Sequence, residues 1–404
     1  MIRKKDGYNS YLTQKILLSY SVRIFLQFLQ IAASIVVARV AGPTVLGTVA
    51  FGLAYVSMFQ FVTDLGLGAA HVKLISEGQD LGKCISTYSR LKLFTIGFYV
   101  LLMLSFFLSQ KYIFHVSFGS VTHQYVIIIL FVMIVLQGFL EIPIRTFAAK
   151  TEQAKQNAPE IIRGVFLQIS RIAVVLLGFR AISLAFCNLV AAIIAALIIF
   201  VLFRRYPFGG YDKKLGKRYL KIALPMVFLV TSTILTANLD KVVLQFFYNS
   251  EQVGYYTAGF KIGTLIQLVG YSLGSLLFPL FSRAAAISDY DTILEKVDKI
   301  ERLNFIFLMP MVIFLALYSD SIVLFVLGEQ YMSSIGVLSI IAVGMFILVI
   351  NVPYGNILVG LGYFGLTARI YCVNLAVFAV TLIVLLNPRL LGLGATGAAL
   401  AIFC

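Results

Sequence analysis

Charge is scarce in this sequence. Of its 404 residues only 12% are Asp, Glu, Lys or Arg, about half the ~25% of an ordinary globular domain. That excludes a soluble domain large enough to work on its own. Cysteine and histidine are scarce too, with four and three residues. Cys84, Cys187, Cys372 and Cys404 lie on a loop or within apolar runs, at spacings that suggest neither a disulfide framework nor a metal site, and they read as packing residues. His71, His115 and His123 are scattered over two loops and read as structural or solvated. No Gly-Lys-Ser phosphate loop, metal-spaced histidine cluster or paired-carboxylate motif is present. No catalytic residue, metal or cofactor is therefore expected.

Long apolar runs are what the chain has instead. Crossing a hydrocarbon core takes about 20 apolar residues, and such runs recur throughout, which predicts an all-α integral membrane protein because lipid offers no partner to open backbone groups. Spans are expected near 16–38, 44–67, 90–108, 124–143, 160–179 and 181–203, then near 220–240, 254–280, 303–327, 335–358, 369–387 and 392–404. The last has only 13 residues, so the chain is expected to continue beyond Cys404 and to stop here inside its twelfth helix. No cleavable signal peptide is visible at the first span.

The net charge of +15 does not imply nucleic acid, because the basic residues alternate between loops. With the N-terminus inside, cytoplasmic segments hold 23 Lys and Arg and the opposite loops hold five: Arg39, Lys111, Arg180, Lys241 and Arg389. This asymmetry predicts a cytoplasmic N-terminus. Lys92 is counted here as the end of a cytoplasmic segment that starts at Lys73. The most polar internal stretch, from Arg204, reads as a basic cytoplasmic linker over 204–218 between two six-helix bundles, 1–203 and 219–404. Shifting the sequence by 207 residues matches Val36 with Val243, Gly47 with Gly254, Gly52 with Gly259 and Gln60 with Gln267. Halves of six spans each would be related by an axis along the membrane normal, with a cavity between them at the midplane.

Two blocks, AGPTVLGTVAFGLAYVSMFQFVTDLGLGAAHVKLISEG and ALPMVFLVTSTILTANLDKVVLQFFYNSEQVGYYTAGFKI, resemble the Wzx-type O-antigen and polysaccharide flippases. These belong to the multidrug, oligosaccharidyl-lipid and polysaccharide exporter superfamily. The resemblance implies two bundles around a V-shaped lumen in the bacterial inner membrane. It also implies transfer of an undecaprenyl-pyrophosphate-linked oligosaccharide to the outer leaflet, with polymerase and chain-length proteins of the same pathway as partners. Competing readings are a lipid II or teichoic-acid precursor flippase, a cation-coupled multidrug exporter, and a membrane-embedded glycosyltransferase or polymerase. The last is disfavoured by loops of at most about 20 residues.

Four cations lie inside spans: Arg23, Arg163, Arg171 and Lys261. A cation at the bilayer centre costs about 2.5–3.5 kcal/mol on insertion scales, so each needs a compensating environment. Ser19, Arg23, Gln27, Gln30 and Ser34 fall within an arc of roughly 80° at helical spacing, and so do Thr257, Lys261, Thr264 and Tyr271. Both stripes predict a wet lumen that binds substrate, the pyrophosphate held by an arginine fork and a lysine point charge. Arg163 and Arg171 share the fifth span with Glu160 and Gln168. For Arg163, an ion pair or a lipid headgroup is at least as good a reading. Asp64, Glu141, Glu160 and Asp240 are coupling candidates for which structural ion pairing ranks higher. Asp240 beside Lys241 reads as a helix-end or inter-bundle latch. Asn351 and Asn356, around Pro353, Tyr354 and Gly355, predict a bend in the tenth helix that gates the cavity.

Overall fold

The computed structural model describes residues 2–112, 120–275, 290–360 and 363–403; within them the side chains of residues 2–24, of Asn356 and of a few others lie outside the described residues. Among the described residues there is no strand. The helices are α1 (Ile2–Met58), α2 (Phe61–Asp64), α3 (Leu67–Ser76), α4 (Leu81–Tyr112), α5 (Val121–Ala149), α6 (Gln153–Leu176) and α7 (Ala181–Phe203). After a short connection come α8 (Lys213–Phe247), α9 (Ser250–Ser275), α10 (Tyr290–Leu317), α11 (Ser319–Val326), α12 (Ile335–Gly360), α13 (Phe364–Leu386) and α14 (Gly394–Leu400). Eight segments among the described residues are long and apolar enough to cross a bilayer, and the first, Phe25–Asp64, takes in two expected spans. It does so because α1 turns at Gly42 (φ 82°) without ending. The 24-residue α6 and the 26-residue α9 occupy the fifth and eighth expected positions but carry polar stripes. This is a multi-pass membrane protein. Its outer surface is apolar in keeping, with Phe94, Phe200, Phe246 and Phe325 more than two-thirds exposed.

The helices before the connection pack on one another, α5 and α6 on α7 and all three on α1; those after it pair as α9 with α12 and α8 with α13. The most extensive pair, α1 with α9, joins the two sets. The connection is shorter than expected. Asp212 accepts from Lys214 N (2.8 Å) and Leu215 N (3.2 Å) and so starts α8 at Lys213, an N-cap that stabilises the helix start. These bonds hold its carboxyl below the usual range. The tenth expected span is not interrupted at Pro353. Helix α12 runs unbroken through Pro353, and Asn351 Nδ2 donates to Ile347 O one turn back (2.9 Å). A proline deletes one backbone bond, and local adjustment lets a membrane helix absorb that.

The real break lies in the second span. Leu65 (φ 45°) and Gly66 (φ 78°) are both left-handed, and a Cβ on Gly66 would come within 2.9 Å of Ala223 O on α8. Ending α2 there frees the Thr63 carbonyl, which a bilayer cannot satisfy. Lys92 Nζ (2.6 Å) and Thr95 Oγ1 (2.9 Å) donate to it. Lys92 also pairs with Glu141 and lies 3.8 Å from Asp64, while Asp64 accepts from Gly68 N in α3 (2.9 Å). Lys92 is thus not a loop residue: it is fully buried inside α4. Asp64 and Glu141 both face Lys92 as ion-pair partners.

Beside this break, α3 is pinned to α8. Thr146 Oγ1 donates to Ile142 O (2.8 Å), so it accepts from His71 Nε2 (2.9 Å). His71 Nδ1 shares a hydrogen bond with the Tyr219 hydroxyl (2.6 Å), which also reaches Cys84 O (3.2 Å). Burial, with help from Arg145, lowers the His71 pKa to about 3, so the ring is neutral. It is a packing histidine.

Glycine sets the α1–α9 seam. A Cβ on Gly47 would lie 1.7 Å from Ser250 O, and one on Gly254 would lie 2.0 Å from Pro43 O, so the two backbones touch. Bonds flank the contact: His123 Nε2 with Ser250 Oγ (2.6 Å), Gln330 Nε2 to Arg39 O (2.8 Å) and Tyr331 OH to Ala38 O (3.1 Å).

Two stability predictions result. Lys92→Met removes the charged donor of the Thr63 carbonyl, which keeps Thr95, and of the half-buried Glu141, which keeps only the longer Arg145 contact (3.8 Å), and should cost about 1.5–3 kcal/mol, read as a lowered midpoint for unfolding of the detergent-purified protein. Lys261→Met, by contrast, should not lower it. Gly254→Val must push apart two backbones with no flexible side chain to give way, a loss of about 1–3 kcal/mol or more. Thermal unfolding of that variant beside a valine at the uncrowded Gly355 separates a seam effect from a general one.

Candidate functional site: a cationic cavity between α1, α6, α7 and α9

Just inside the glycine seam lies a cavity of about 150 Å³. Its polar lining comes from four helices: Gln30 and Ser34 on α1, Gln168 and Arg171 on α6, Asn188 on α7, and Thr257 and Lys261 on α9. The remainder is apolar, including Leu46, Leu53 and Leu167. No Asp or Glu lines it. The one-sided stripes on α1 and α9 explain the meeting, since a residue every three or four positions holds one helix face, and the α1–α9 packing turns those faces toward each other.

Three of the sequence-predicted binding residues, Gln30, Arg171 and Lys261, therefore meet in one cavity. Arg171 Nη1 donates to Gln168 Oε1 (3.3 Å), while Arg171 Nε is buried without a partner, as is Thr257 Oγ1. Neither Arg171 nor Lys261 has an ion pair among the described residues. Fixed cationic donors facing one cavity, with no carboxylate among its described lining residues, suit an anion.

The other expected residues lie elsewhere. The side chain of Arg23 lies outside the described residues. Gln27, one turn before the cavity on α1, and Arg163, two turns before Arg171 on α6, are partly exposed and do not line it. Asp240 accepts from Tyr256 OH (2.6 Å) and from Lys241 Nζ (2.9 Å). It ties α8 to α9 and is a latch within the second set of helices, not between the sets. Asn351 is exposed and bonded along its own helix, and the Asn356 side chain lies outside the described residues. Asn188 was missed. It donates back to Leu184 O (2.9 Å), and the only signal was a lone amide in the sixth apolar run.

Comparison with known proteins agrees with this architecture. A chain described as the lipid II flippase MurJ in an inward closed conformation superposes with a TM-score of 0.78 at 14% identity, covering 96% of this chain and 84% of that one. A multidrug resistance MATE family transporter of the MOP superfamily, inward-facing, gives 0.74 at 13% identity over 94% and 90%. At such identities they show the fold, that of the MOP superfamily transporters. A curated relative from Shigella flexneri, "Putative O-antigen transporter", is 23% identical over 195 residues, 46% of each chain. The chain thus spans about half the length of that relative. The sequence profile described as "Polysaccharide biosynthesis protein" matches residues 36–336, and the chain belongs to that family.

Proposed function

We propose that this protein carries an undecaprenyl-pyrophosphate-linked oligosaccharide from the inner to the outer leaflet of the bacterial cytoplasmic membrane, for O-antigen, capsule or exopolysaccharide assembly. One observation carries the reading: Arg171 and Lys261 face a cavity between the two sets of helices with no carboxylate in its lining. A lipid pyrophosphate brings two negative charges and several acceptor oxygens. Arginine engages phosphate oxygens as a planar fork and lysine as a point charge, so the headgroup is held from α6 and α9 together. By helical spacing in the sequence, Arg23 belongs to the same stripe as Gln30, seven residues later.

Size constrains the cycle. Pockets for drug-sized ligands run to about 300–1,000 Å³, and 150 Å³ holds a phosphate group but no oligosaccharide. The glycan enters only when the α1–α9 side separates from its surroundings, with the polyprenyl tail left in lipid. The halves 1–203 and 219–404 are the moving bodies, and the basic connection between them is cytoplasmic. A multidrug exporter on the same fold would attract cationic drugs with carboxylates, which this lining lacks. A lipid II or teichoic-acid precursor fits the same cations, and only the glycan distinguishes it.

The test is binding and flipping of a fluorescent pyrophosphate-linked lipid oligosaccharide by purified protein in proteoliposomes. Arg171→Gln should weaken binding about ten- to a hundredfold, the loss of a charged hydrogen bond worth about 1.5–3 kcal/mol. Arg171→Lys should recover part of it. Lys261→Gln should weaken binding without loss of thermal stability, because an unpaired cation in the membrane is itself unfavourable. Wild-type binding by both neutral variants would place the headgroup elsewhere. The orientation has its own check: a reporter active only outside the cell, fused at Lys213, should stay silent, and activity there would reverse the direction of transport proposed.

A further inference from the structure

The cavity poses a problem when no cargo is in it. Arg171 and Lys261 face it together, and the charged groups that act on Lys261 are themselves cations, Arg171 and Lys241. Of the acids of the membrane region that the structure describes, Glu160 is exposed near the start of α6, about three turns before Arg171, and does not line the cavity, while the others are already committed. Asp64 and Glu141 serve Lys92, and Asp240 serves Lys241 and Tyr256. Arg171 Nε and Thr257 Oγ1 are buried with no hydrogen-bond partner among the described residues. Two like charges enclosed in a low-dielectric space, with unused donors around them, are unfavourable unless something neutralises them.

We propose that the closed, cargo-free protein holds a small inorganic anion, chloride or phosphate, between Arg171 and Lys261. The lipid-linked pyrophosphate displaces it, so flipping is an exchange of anions. The inference rests on the anionic-cargo reading above and adds to it the counter-substrate of the return step. A cavity of about 150 Å³ is the right size for such an ion while being too small for the cargo. Charge also balances when the ion is phosphate. A pyrophosphate diester carries two negative charges outward; one doubly charged phosphate carries the same charge back and one chloride carries half of it, so exchange for phosphate is electroneutral. Without the anion, the return step would close two bare cations into a dry cavity.

The test uses the full chain, purified in detergent free of lipid carrier. Sodium chloride and, separately, sodium phosphate are titrated against sodium gluconate at constant ionic strength, and the thermal unfolding midpoint is read. One of the two small anions should raise it saturably, as a ligand bound only by the folded state must. Which one does so distinguishes chloride from phosphate. The rise should vanish in the Arg171→Gln, Lys261→Gln double variant and persist in Lys261→Arg, which keeps the charge and controls for folding. In proteoliposomes, gluconate as the only anion on the receiving side should slow flipping at least tenfold. A midpoint indifferent to both anions, with the pyrophosphate lipid still binding, overturns the proposal and leaves the cargo reading standing. Saturable anion binding with flipping indifferent to the receiving-side anion overturns the exchange. If neither the small anions nor the pyrophosphate lipid bind, the cargo reading falls as well.

Discussion

Inside a bilayer a polar group finds its partner within the protein or goes without, and two lysines mark the two outcomes. Lys92 and Lys261 are both in membrane helices of one chain. Lys92 has a carbonyl, two carboxylates and no solvent, a closed arrangement whose purpose is to let α2 end in mid-membrane. Lys261 has a cavity, a neighbouring arginine and no acid. The expense of a charge in lipid applies to both, so what differs is what surrounds it: a broken helix in one case, the cavity proposed for the headgroup in the other. Arg171 falls with Lys261 on this criterion. Asp64, Glu141 and Asp240 fall with Lys92.

Much of this was legible in the residues. Apolar runs gave the helix positions, and helical spacing put Gln30 and Ser34 on one face of α1 and Thr257 and Lys261 on one face of α9. Those stripes meet in the cavity, with Arg171 added from α6. Periodicity tells which residues share a face and not what that face confronts, which is why Gln27 reads like Gln30 yet lies outside the lining. Lys92 was misplaced because a charge at the edge of an apolar run marks a helix end unless a partner is known, and its partners are on other helices. Pro353 was over-read as a break for a related reason. A proline deletes one backbone bond, and whether the helix bends depends on neighbours that sequence does not name.

The glycines connect that reading to the architecture. The 207-residue shift matched Gly47 with Gly254 and Gly52 with Gly259 before any contact was known. In the fold, Gly47 and Gly254 touch each other. Equivalent positions of a two-fold repeat can meet only beside its axis, so on the parallel-repeat reading the axis would run between α1 and α9. The second pair behaves as the same repeat requires of positions away from the axis. A Cβ on Gly52 would meet Val126 on α5 at 2.7 Å, and one on Gly259 would meet Val337 on α12 at 2.8 Å. These are corresponding helices of the two halves. Sequence shift and packing are independent observations, and both support a parallel repeat.

An axis through the glycine contact has a consequence for the cavity just inside it. Every group near a two-fold axis has a counterpart across it, so a symmetric ancestor would line the cavity with matched residues from both halves. The present lining is not matched: Lys261 on α9 corresponds under the same shift to Ala54 on α1, which is buried in the core. Arg171 on α6 is the cation the first half supplies instead. The two positive charges therefore come from non-equivalent helices, one beside the axis and one behind it, and motion of one half relative to the other changes their separation. On the proposed function, a headgroup gripped by both would be bound only while they are close, and its release would need no change of charge on either side chain.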